Sequence, residues 1–406
     1  MSGRRPAAVV LVVALAAVAV ATLMPIPSLG PDVVDPDAAR IKLALADMLR
    51  NLVLMAPAGA AAAVLGLGSG AALLGGLALS AAIECAQLVI PGRQASPLDW
   101  GMNGAGAGLG ALLAHHARLW LRPSPRVRRG LAALALAVAL AAAAFTGPLL
   151  ELVPTQRPLY GHWTPDLGHL ARYAGRVTAA RVDGTAVRHG AVPDSDALRA
   201  ALAGDFHVRV EARAGPPPPG QAALLLVTDA DGTSIFVLGP RGEDLVFIYR
   251  SRAHVAGLEA MGVRRRGVLA DFSPGSELRV EARRRGADLC LEVNGDERCG
   301  LGPTVGDGWT LLMGSHGRLG DWRPVLGPLW LALLLAPLGY WAAPRALGLV
   351  VWAAWLLAVA GLVALPPLMG LLPTSPLTVA AAVAGLLAGR GLDRWGARWD
   401  AEAPAS

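Results

Sequence analysis

Lysine is almost absent from this sequence, and so are the motifs of several soluble enzymes. Lys42 is the only lysine, so arginine carries nearly all of the formal net charge of +6. The abundance of Ala, Gly and Arg indicates GC-rich coding, and we do not read the basic balance as nucleic-acid binding. No HExxH, GxSxG or Walker lysine occurs, so a zinc peptidase, a serine hydrolase or a P-loop nucleotidase is not indicated. We expect neither a metal nor a cofactor.

Charged residues are also few, and apolar runs take their place. Asp, Glu, Lys and Arg make up 16% of the 406 residues and hydrophobic residues 54%, with a mean hydropathy of +0.48. Such a chain is too apolar for a soluble protein and long enough for a membrane domain plus one soluble domain. We therefore expect a polytopic α-helical membrane protein.

Eight apolar runs are long enough to cross a bilayer at about 20 residues each. They lie near residues 7–24, 48–66, 71–90, 98–114, 131–152, 326–343, 346–365 and 376–391. The first run is either a signal peptide or a retained helix. We favour the retained helix because no clean small-x-small cleavage site precedes Met24.

The arginines predict the orientation of these helices. With eight crossings, the arginine-rich segments all fall on one side, at Arg4 and Arg5, Arg118 to Arg129, Arg345, and Arg390 to Arg398. The positive-inside rule makes that side cytoplasmic. Both termini are then cytoplasmic, and residues 154–325 face the exterior.

Polar side chains interrupt the third run. Glu84 lies inside it, where a carboxylate costs a few kcal/mol unless it faces a protein interior and has a partner. Ser80 and Gln87 lie one turn to either side on the same helical face. Glu84 could serve helix packing alone, through Arg93, Gln87 or Asn103, or it could bind a ligand or carry a proton.

A second group of polar residues follows the third run. The loop PGRQASPLD carries Arg93, whose planar fork suits a phosphate or carboxylate but also suits the membrane interface. Ser96, Pro97 and Asp99 form a helix start, which gives Asp99 a capping role. Asn103 lies one turn later, and glycines at 104, 106, 108 and 110 allow close helix packing. We expect these side chains to converge near Asn51.

These residues resemble the VanZ-like membrane family, named for an accessory teicoplanin-resistance protein. The resemblance covers about residues 9–120 and rests on Asn51 with Pro57 and Gly59, the Ile83-Glu84-x-x-Gln87 step, Arg93, Asp99, and Asn103 followed by glycines. It implies a membrane domain of the bacterial cell envelope. The candidate polar pocket comprises Asn51, Ser80, Glu84, Gln87, Arg93, Asp99 and Asn103.

The long segment before the sixth run has a different character. Nine short runs between about residues 176 and 314, from RVTAARV to GWTLLMG, alternate apolar and polar residues or are bounded by turn residues. This rhythm predicts an antiparallel β-sandwich. LEVNG and GWTLLMGSHGRLGDW resemble laminin-G or concanavalin-like sandwiches over about residues 176–323. Asp229, Asp231 and Asp244 could bind calcium, although acids at hairpin ends usually form turns.

Two cysteines flank a strong turn signal in this segment. Asn294-Gly295 predicts a two-residue type I′ turn that pairs Val293 with Asp296 and, three pairs further out, Cys290 with Cys299. That pair would be non-hydrogen-bonded, with Cα atoms about 4.5 Å apart, which permits a disulfide. Cys85 is alone in its helix and should remain free.

The predicted organisation has five parts. They are a four-helix VanZ-like domain at 1–122, a fifth helix with a basic loop at 123–153, the external sandwich at 154–325, three helices at 326–392 and a cytoplasmic tail at 393–406. The sequence predicts a multi-pass protein of the bacterial inner membrane.

Two functions are consistent with this organisation. In the first, the pocket recognises a lipid-linked or glycan envelope component such as a cell-wall precursor, with a link to glycopeptide resistance, and the sandwich binds a glycan or protein. In the second, Glu84, Arg93 and Asp99 form an active site, with the acid as general base. We favour the first, because no activated nucleophile and no second carboxylate near Glu84 is evident.

Overall fold

The structure is a computed structural model that describes residues 4–23, 45–90, 95–167, 170–314, 318–342 and 348–402. The chain divides into two compact units, residues 1–128 and 129–406. Arg93, one of the seven predicted pocket residues, lies outside the described residues.

The first unit is a bundle of four long helices. They are α1 (Arg4–Leu23), α2 (Leu45–Val64), α3 (Ser69–Gln87) and α4 (Pro97–His115), followed by the short α5 (Ala117–Leu121). Apolar sequence alone would allow many packings, and glycines select this one. A Cβ on Gly106 or Gly110 would meet the carbonyl oxygen of Leu52 or Ala56 on α2. The backbones of α2 and α4 therefore touch.

The helices of the second unit lie before, within and after a β domain. They are α6 (Pro125–Leu150), α7 (Ser195–Ala203), α8 (Arg252–Val255), α9 (Thr310–Met313), α10 (Arg323–Trp341), α11 (Gly348–Leu368) and α12 (Pro376–Glu402). Apolar side chains of α6, α10, α11 and α12 form one continuous core that includes Ala139, Leu335, Trp355 and Leu386.

A helix occurs at each of the eight predicted positions. Five helical segments in the described part of the chain are long and apolar enough to cross a membrane: Arg5–Leu23, Ser69–Gln87, Pro125–Leu150, Gly320–Trp341 and Leu349–Leu368. A membrane protein with a β domain is therefore supported. Eight crossings, and the side on which each loop lies, remain predictions.

The β domain is a sandwich of two six-stranded antiparallel sheets. The strands are β1 (Leu159–Trp163), β2 (Arg176–Val182), β3 (Thr185–Ala186), β4 (Gly190–Ala191), β5 (Phe206–Arg213), β6 (Leu225–Asp229), β7 (Ser234–Arg241), β8 (Asp244–Tyr249), β9 (Met261–Arg265), β10 (Glu277–Arg285), β11 (Asp288–Val293) and β12 (Asp296–Arg298). One sheet has the order β4-β1-β6-β7-β8-β9 and the other β12-β11-β10-β5-β2-β3. Phe247 lies between Phe206 and Phe236 in the core, at ring separations of 5.7 and 5.6 Å.

One predicted strand is wrong. GWTLLMG forms the end of a 3-10 helix, Val305–Trp309, and then α9. The cause is Asp307, whose carboxylate accepts hydrogen bonds from the backbone and hydroxyl of Thr304 at 2.7 and 2.8 Å and so starts a helical turn. This segment carried half of the laminin-G resemblance, and the structure supports a two-sheet sandwich without that family. The strands β1, β3, β4 and β9 were not predicted.

Candidate functional site

The candidate site lies where α3 ends and α4 begins. Ser96 caps α4, and its Oγ accepts the backbone N–H of Asp99 at 3.4 Å, as the S-P-x-D pattern predicts. Glu84 Oε2 accepts the backbone N–H of Ser96 at 2.6 Å. The half-buried Glu84 carboxylate thus holds the start of α4 against α3.

Further charged groups surround Asp99. The Asn51 side chain interacts with the Asp99 carboxyl, which the carboxyls of Glu84 and Asp47 also influence electrostatically. Asp47 forms an ion pair with Arg50 one turn along α2. The inference that no second carboxylate lies near Glu84 is therefore wrong, because the carboxyls of Glu84 and Asp99 interact electrostatically.

A deeper group of polar side chains, Ser80, Gln87 and Asn103, is more fully buried than Asn51, Glu84 and Asp99. Asn103 Nδ2 donates to Ser80 Oγ at 2.9 Å, and both residues are buried. Gln87 Nε2 donates to the carbonyl oxygen of Thr22 on α1 at 3.0 Å. Ser80 and Gln87 are buried while Glu84 between them is half-buried, so the three residues share one face of α3.

Two buried amide oxygens in this group accept no hydrogen bond within the described part of the chain. They are Asn103 Oδ1 and Gln87 Oε1. The orientation of the Gln87 amide is fixed by its partner, the carbonyl oxygen of Thr22, because only the NH₂ end of the amide can donate to a carbonyl. Rotating the Asn103 amide would pair its oxygen with the Ser80 hydroxyl and leave its nitrogen unpaired instead. A buried polar atom without a partner costs about 1–3 kcal/mol, so each of these atoms has unused binding capacity.

Glycines bring the deeper group together. A Cβ on Gly104 or Gly108 would press against Leu77 or Leu73, so α4 approaches α3 along the face that carries these two glycines. A Cβ on Gly59 of α2 would meet the carbonyl oxygen of Ala107. The polar side chains are therefore enclosed between three closely packed helices.

Six of the seven predicted pocket residues are described, and they form two neighbouring groups. Asn51, Glu84 and Asp99 lie around the start of α4, whereas Ser80, Gln87 and Asn103 lie deeper. Sequence reasoning missed Asp47 and Arg50. Their spacing of three residues, one turn before Asn51, was the available signal.

The acids of the sandwich serve turns and ion pairs. Asp229 Oδ1 accepts the backbone N–H groups of Asp231 and Thr233 at 3.0 and 2.9 Å. Asp231 pairs with Arg157 and Asp244 with Arg264. These contacts give each acid the turn-forming or ion-pairing role that competes with calcium binding.

A buried carboxylate lies on the outer face of the second sheet. The Glu281 side chain is 3% exposed and accepts a hydrogen bond from Arg283, while His207 Nε2 lies 2.6 Å from it. Burial alone would raise the pKa of Glu281, but the hydrogen bonds from Arg283 and His207 outweigh burial and lower that pKa. The carboxylate therefore stays ionised at neutral pH.

The hairpin at Asn294-Gly295 has the register that its turn predicts. Val293 pairs with Asp296, Glu292 with Glu297 and Leu291 with Arg298. The next pair, Cys290 and Cys299, forms a disulfide with its Cα atoms 4.0 Å apart. Cys85 is a free, exposed thiol.

The second unit contains a cavity of about 270 Å³ between the ends of α6 and α11 and the sandwich. Tyr249, Arg284 and Met369 are among its lining residues, and no predicted pocket residue is. Burial raises the pKa of the Tyr249 hydroxyl above its ordinary range, so this group remains a neutral hydrogen-bond donor.

Comparison with known proteins identifies one region of the chain. Residues 11–121 match the family model VanZ/LLP1, and this range covers α1 to α5. No curated protein and no solved structure matches the chain. Residues 11–121 therefore form a VanZ-like domain, and the polar side chains described above lie within it.

Proposed function

We propose that this chain is a non-catalytic protein of the bacterial cell membrane whose VanZ-like domain binds the polar head of a lipid-linked envelope component. This polar head is rich in hydrogen-bond donors, such as the hydroxyl groups of a sugar or the amines of an amino sugar. A lipid-linked cell-wall precursor has this chemistry, which would connect the protein to glycopeptide resistance.

The excess of acceptors over donors is the observation that carries this proposal. Asn103 Oδ1 and Gln87 Oε1 are buried and have no donor among the described residues, and the carboxyls of Glu84 and Asp99 lie nearby. Among the described cluster residues, Arg50 is the cation, and it pairs with Asp47. A ligand that supplies N–H or O–H groups would satisfy these oxygens, because buried polar groups are normally hydrogen-bonded.

The depth of the cluster fits the head of a lipid-linked molecule. Ser80 lies seven residues before Gln87, the last residue of α3, a rise of about 10 Å at 1.5 Å per residue. We place the helix ends at headgroup level, so that the cluster extends from there into the apolar part of the bundle. Apolar helix surface continues beyond it to accommodate a lipid tail.

The sandwich is proposed to bind an envelope glycan or protein outside the membrane. The arginine distribution supports an external location, since the basic segments flank the opposite helix ends. Sandwich folds carry many functions, so sugar binding rests on analogy with other sandwiches.

Ligand co-purification tests the proposal. The full-length protein is purified in mild detergent, and mass spectrometry identifies the lipids enriched over the bulk membrane. Gln87→Leu should lower recovery of an enriched lipid-linked ligand about two- to tenfold, since one net hydrogen bond contributes about 0.5–1.5 kcal/mol and 1.4 kcal/mol is tenfold in affinity.

A matched control exists in the sandwich. Gln221 also has a buried Oε1 with no partner in the described part of the chain, and its Nε2 also donates to a backbone carbonyl. Gln221→Leu should leave the recovered ligand unchanged. Equal recovery from both variants, or a lipid profile identical to the bulk membrane, would contradict the proposal.

The proximity of Glu84 and Asp99 favours one alternative function. Two neighbouring carboxyls can act as a general acid and base, with Arg93 holding a phosphate of a lipid-anchored substrate. Glu84→Gln keeps the shape and the acceptor for Ser96 N–H but cannot carry the proton. Loss of turnover of a lipid-anchored substrate with ligand recovery retained would favour the enzyme, and retention of the phenotype would favour binding.

A further inference from the structure

The contact between α10 and α12 in the second unit reproduces the contact between α2 and α4 in the first. A Cβ on Gly385 or Gly389 of α12 would meet the carbonyl oxygen of Ala332 or Ala336, as Gly106 and Gly110 meet Leu52 and Ala56. The reciprocal contact also recurs, because Gly339 meets Leu386 as Gly59 meets Ala107. All three contacts agree with one pair of sequence shifts, 280 residues from α2 to α10 and 279 from α4 to α12.

The sequence repeats at the same shifts. Residues 56–59 read APAG and residues 336–339 read APLG, with the proline inside the helix in both. The start of α4 reads Ser-Pro-Leu at 96–98, and the start of α12 reads Ser-Pro-Leu at 375–377. The cap is also the same, since Ser375 Oγ accepts the backbone N–H of Thr378 at 3.2 Å, as Ser96 does from Asp99.

The remaining helices correspond as well. The buried positions 72, 76, 83 and 87 of α3 recur as buried positions 351, 355, 362 and 366 of α11, again 279 residues on. Both α1 and α6 have an Arg-Arg pair near the start, at 4–5 and 128–129. The ends of the first and third helices meet in both bundles, through Gln87 and Thr22 in one and Gly147 and Met369 in the other.

We infer that the second unit contains a second copy of the VanZ-like four-helix bundle, with the sandwich inserted between its first and second helices. We further infer that the polar cluster of the first copy serves a ligand and not the fold, which rests on the function proposed above. The sandwich takes the position of the segment that joins α1 to α2.

Each polar residue of the first copy is replaced at the corresponding position of the second, in all but one case by an apolar residue. Asn51, Ser80, Glu84, Gln87, Asp99 and Asn103 correspond to Leu331, Val359, Val363, Pro366, Thr378 and Ala382. Leu331 and Ala382 are fully buried. The bundle therefore forms without the cluster, as expected when both partners of a buried hydrogen bond are replaced by apolar groups.

The glycines separate into two sets in the same way. The two that contact the second helix, Gly106 and Gly110, persist as Gly385 and Gly389. The two that contact α3, Gly104 and Gly108, correspond to Val383 and Leu387, which are 37% and 55% exposed. Close packing of the third helix is thus specific to the copy that carries the polar side chains.

The experiment gives the first bundle the residues of the second. Asn51→Leu, Ser80→Val, Glu84→Val, Asp99→Thr and Asn103→Ala are combined in the full-length chain, and Gln87 is kept. We expect the same elution profile and a melting temperature within about 5 °C of the unmodified protein. Recovery of the lipid-linked ligand should fall at least tenfold. Gly106→Val and Gly385→Val disrupt the close backbone contact that occurs in both bundles. Each should lower the melting temperature by more than the combined variant does.

The outcomes separate this inference from the proposed function. A folded variant that has lost the ligand supports both. A folded variant that retains it supports the repeat and overturns the proposed function. If the combined variant does not fold, the five single variants are measured, and any one that melts more than about 10 °C below the unmodified protein overturns the inference. Destabilisation by Gly106→Val without destabilisation by Gly385→Val would also overturn it.

Discussion

The Cys290–Cys299 disulfide should stabilise the sandwich by an amount that the sequence separation sets. The two residues are nine positions apart, and the chain-entropy relation gives about 2.6 kcal/mol for a closed loop of that size. This is an upper value, because the Asn294-Gly295 turn already restricts the unfolded hairpin. For a domain of about 150 residues, the corresponding fall in melting temperature on reduction is about 5–10 °C.

Thermal unfolding of the full-length protein before and after reduction measures this effect. The double variant Cys290→Ala, Cys299→Ala should melt at the temperature of the reduced protein, because Cys290 is a small buried residue whose replacement removes little volume. Cys85→Ala is the control, since this thiol is free. Alkylation of both Cys290 and Cys299 in unreduced protein from oxidised envelopes would refute the bond. It would also contradict the predicted external location of the sandwich.

Three further predictions concern the sandwich, the first bundle and the orientation. The lowered pKa of Glu281 gives stability that is present above its unfolded pKa of about 4.5 and lost as the pH falls through the folded value; Glu281→Gln should flatten this loss in acid melting curves, and an unchanged slope would contradict it. Gly106→Ala should destabilise the bundle, whereas Gly101→Ala, whose new Cβ would meet no described atom within 4 Å beyond its own helical turn, should stabilise it by up to about 1 kcal/mol. Reporter fusions at Pro240 should give an external signal and those after Arg398 a cytoplasmic one, and the reverse would overturn the orientation.

The helices and most strands could be predicted because their signals are local. Runs of about 20 apolar residues and alternating runs bounded by turn residues need no tertiary information. The Asn294-Gly295 hairpin is the strongest case, since one turn sets every pair of the ladder. The strand prediction around Asp307 failed because the helical turns there depend on a contact with a residue distant in sequence. Arg323 Nε lies 2.6 Å from Asp307 Oδ1, and this part-buried ion pair holds the turns in place.

The polar cluster was only partly predictable, for a different reason. Glu84 was conspicuous because a carboxylate is rare in an apolar run, whereas Asp47 and Arg50 lie in a segment that already contains polar residues. The unpaired oxygens of Asn103 and Gln87 were not predictable, since they depend on which helix supplies each amide with its partner.

The internal repeat explains why composition conceals the architecture of this chain. Two apolar bundles rich in Ala, Leu and Gly look alike at almost any alignment, so only residues with a specific structural role reveal the correspondence. Such roles belong to the helix prolines Pro57 and Pro337, the capping serines Ser96 and Ser375, and the glycines at backbone contacts. Residues without a packing role are free to differ between the copies. Asn103 differs from Ala382 at a fully buried position, where apolar packing suffices for the fold. We therefore propose a ligand as the reason that the first bundle retains a buried amide whose oxygen has no partner among the described residues.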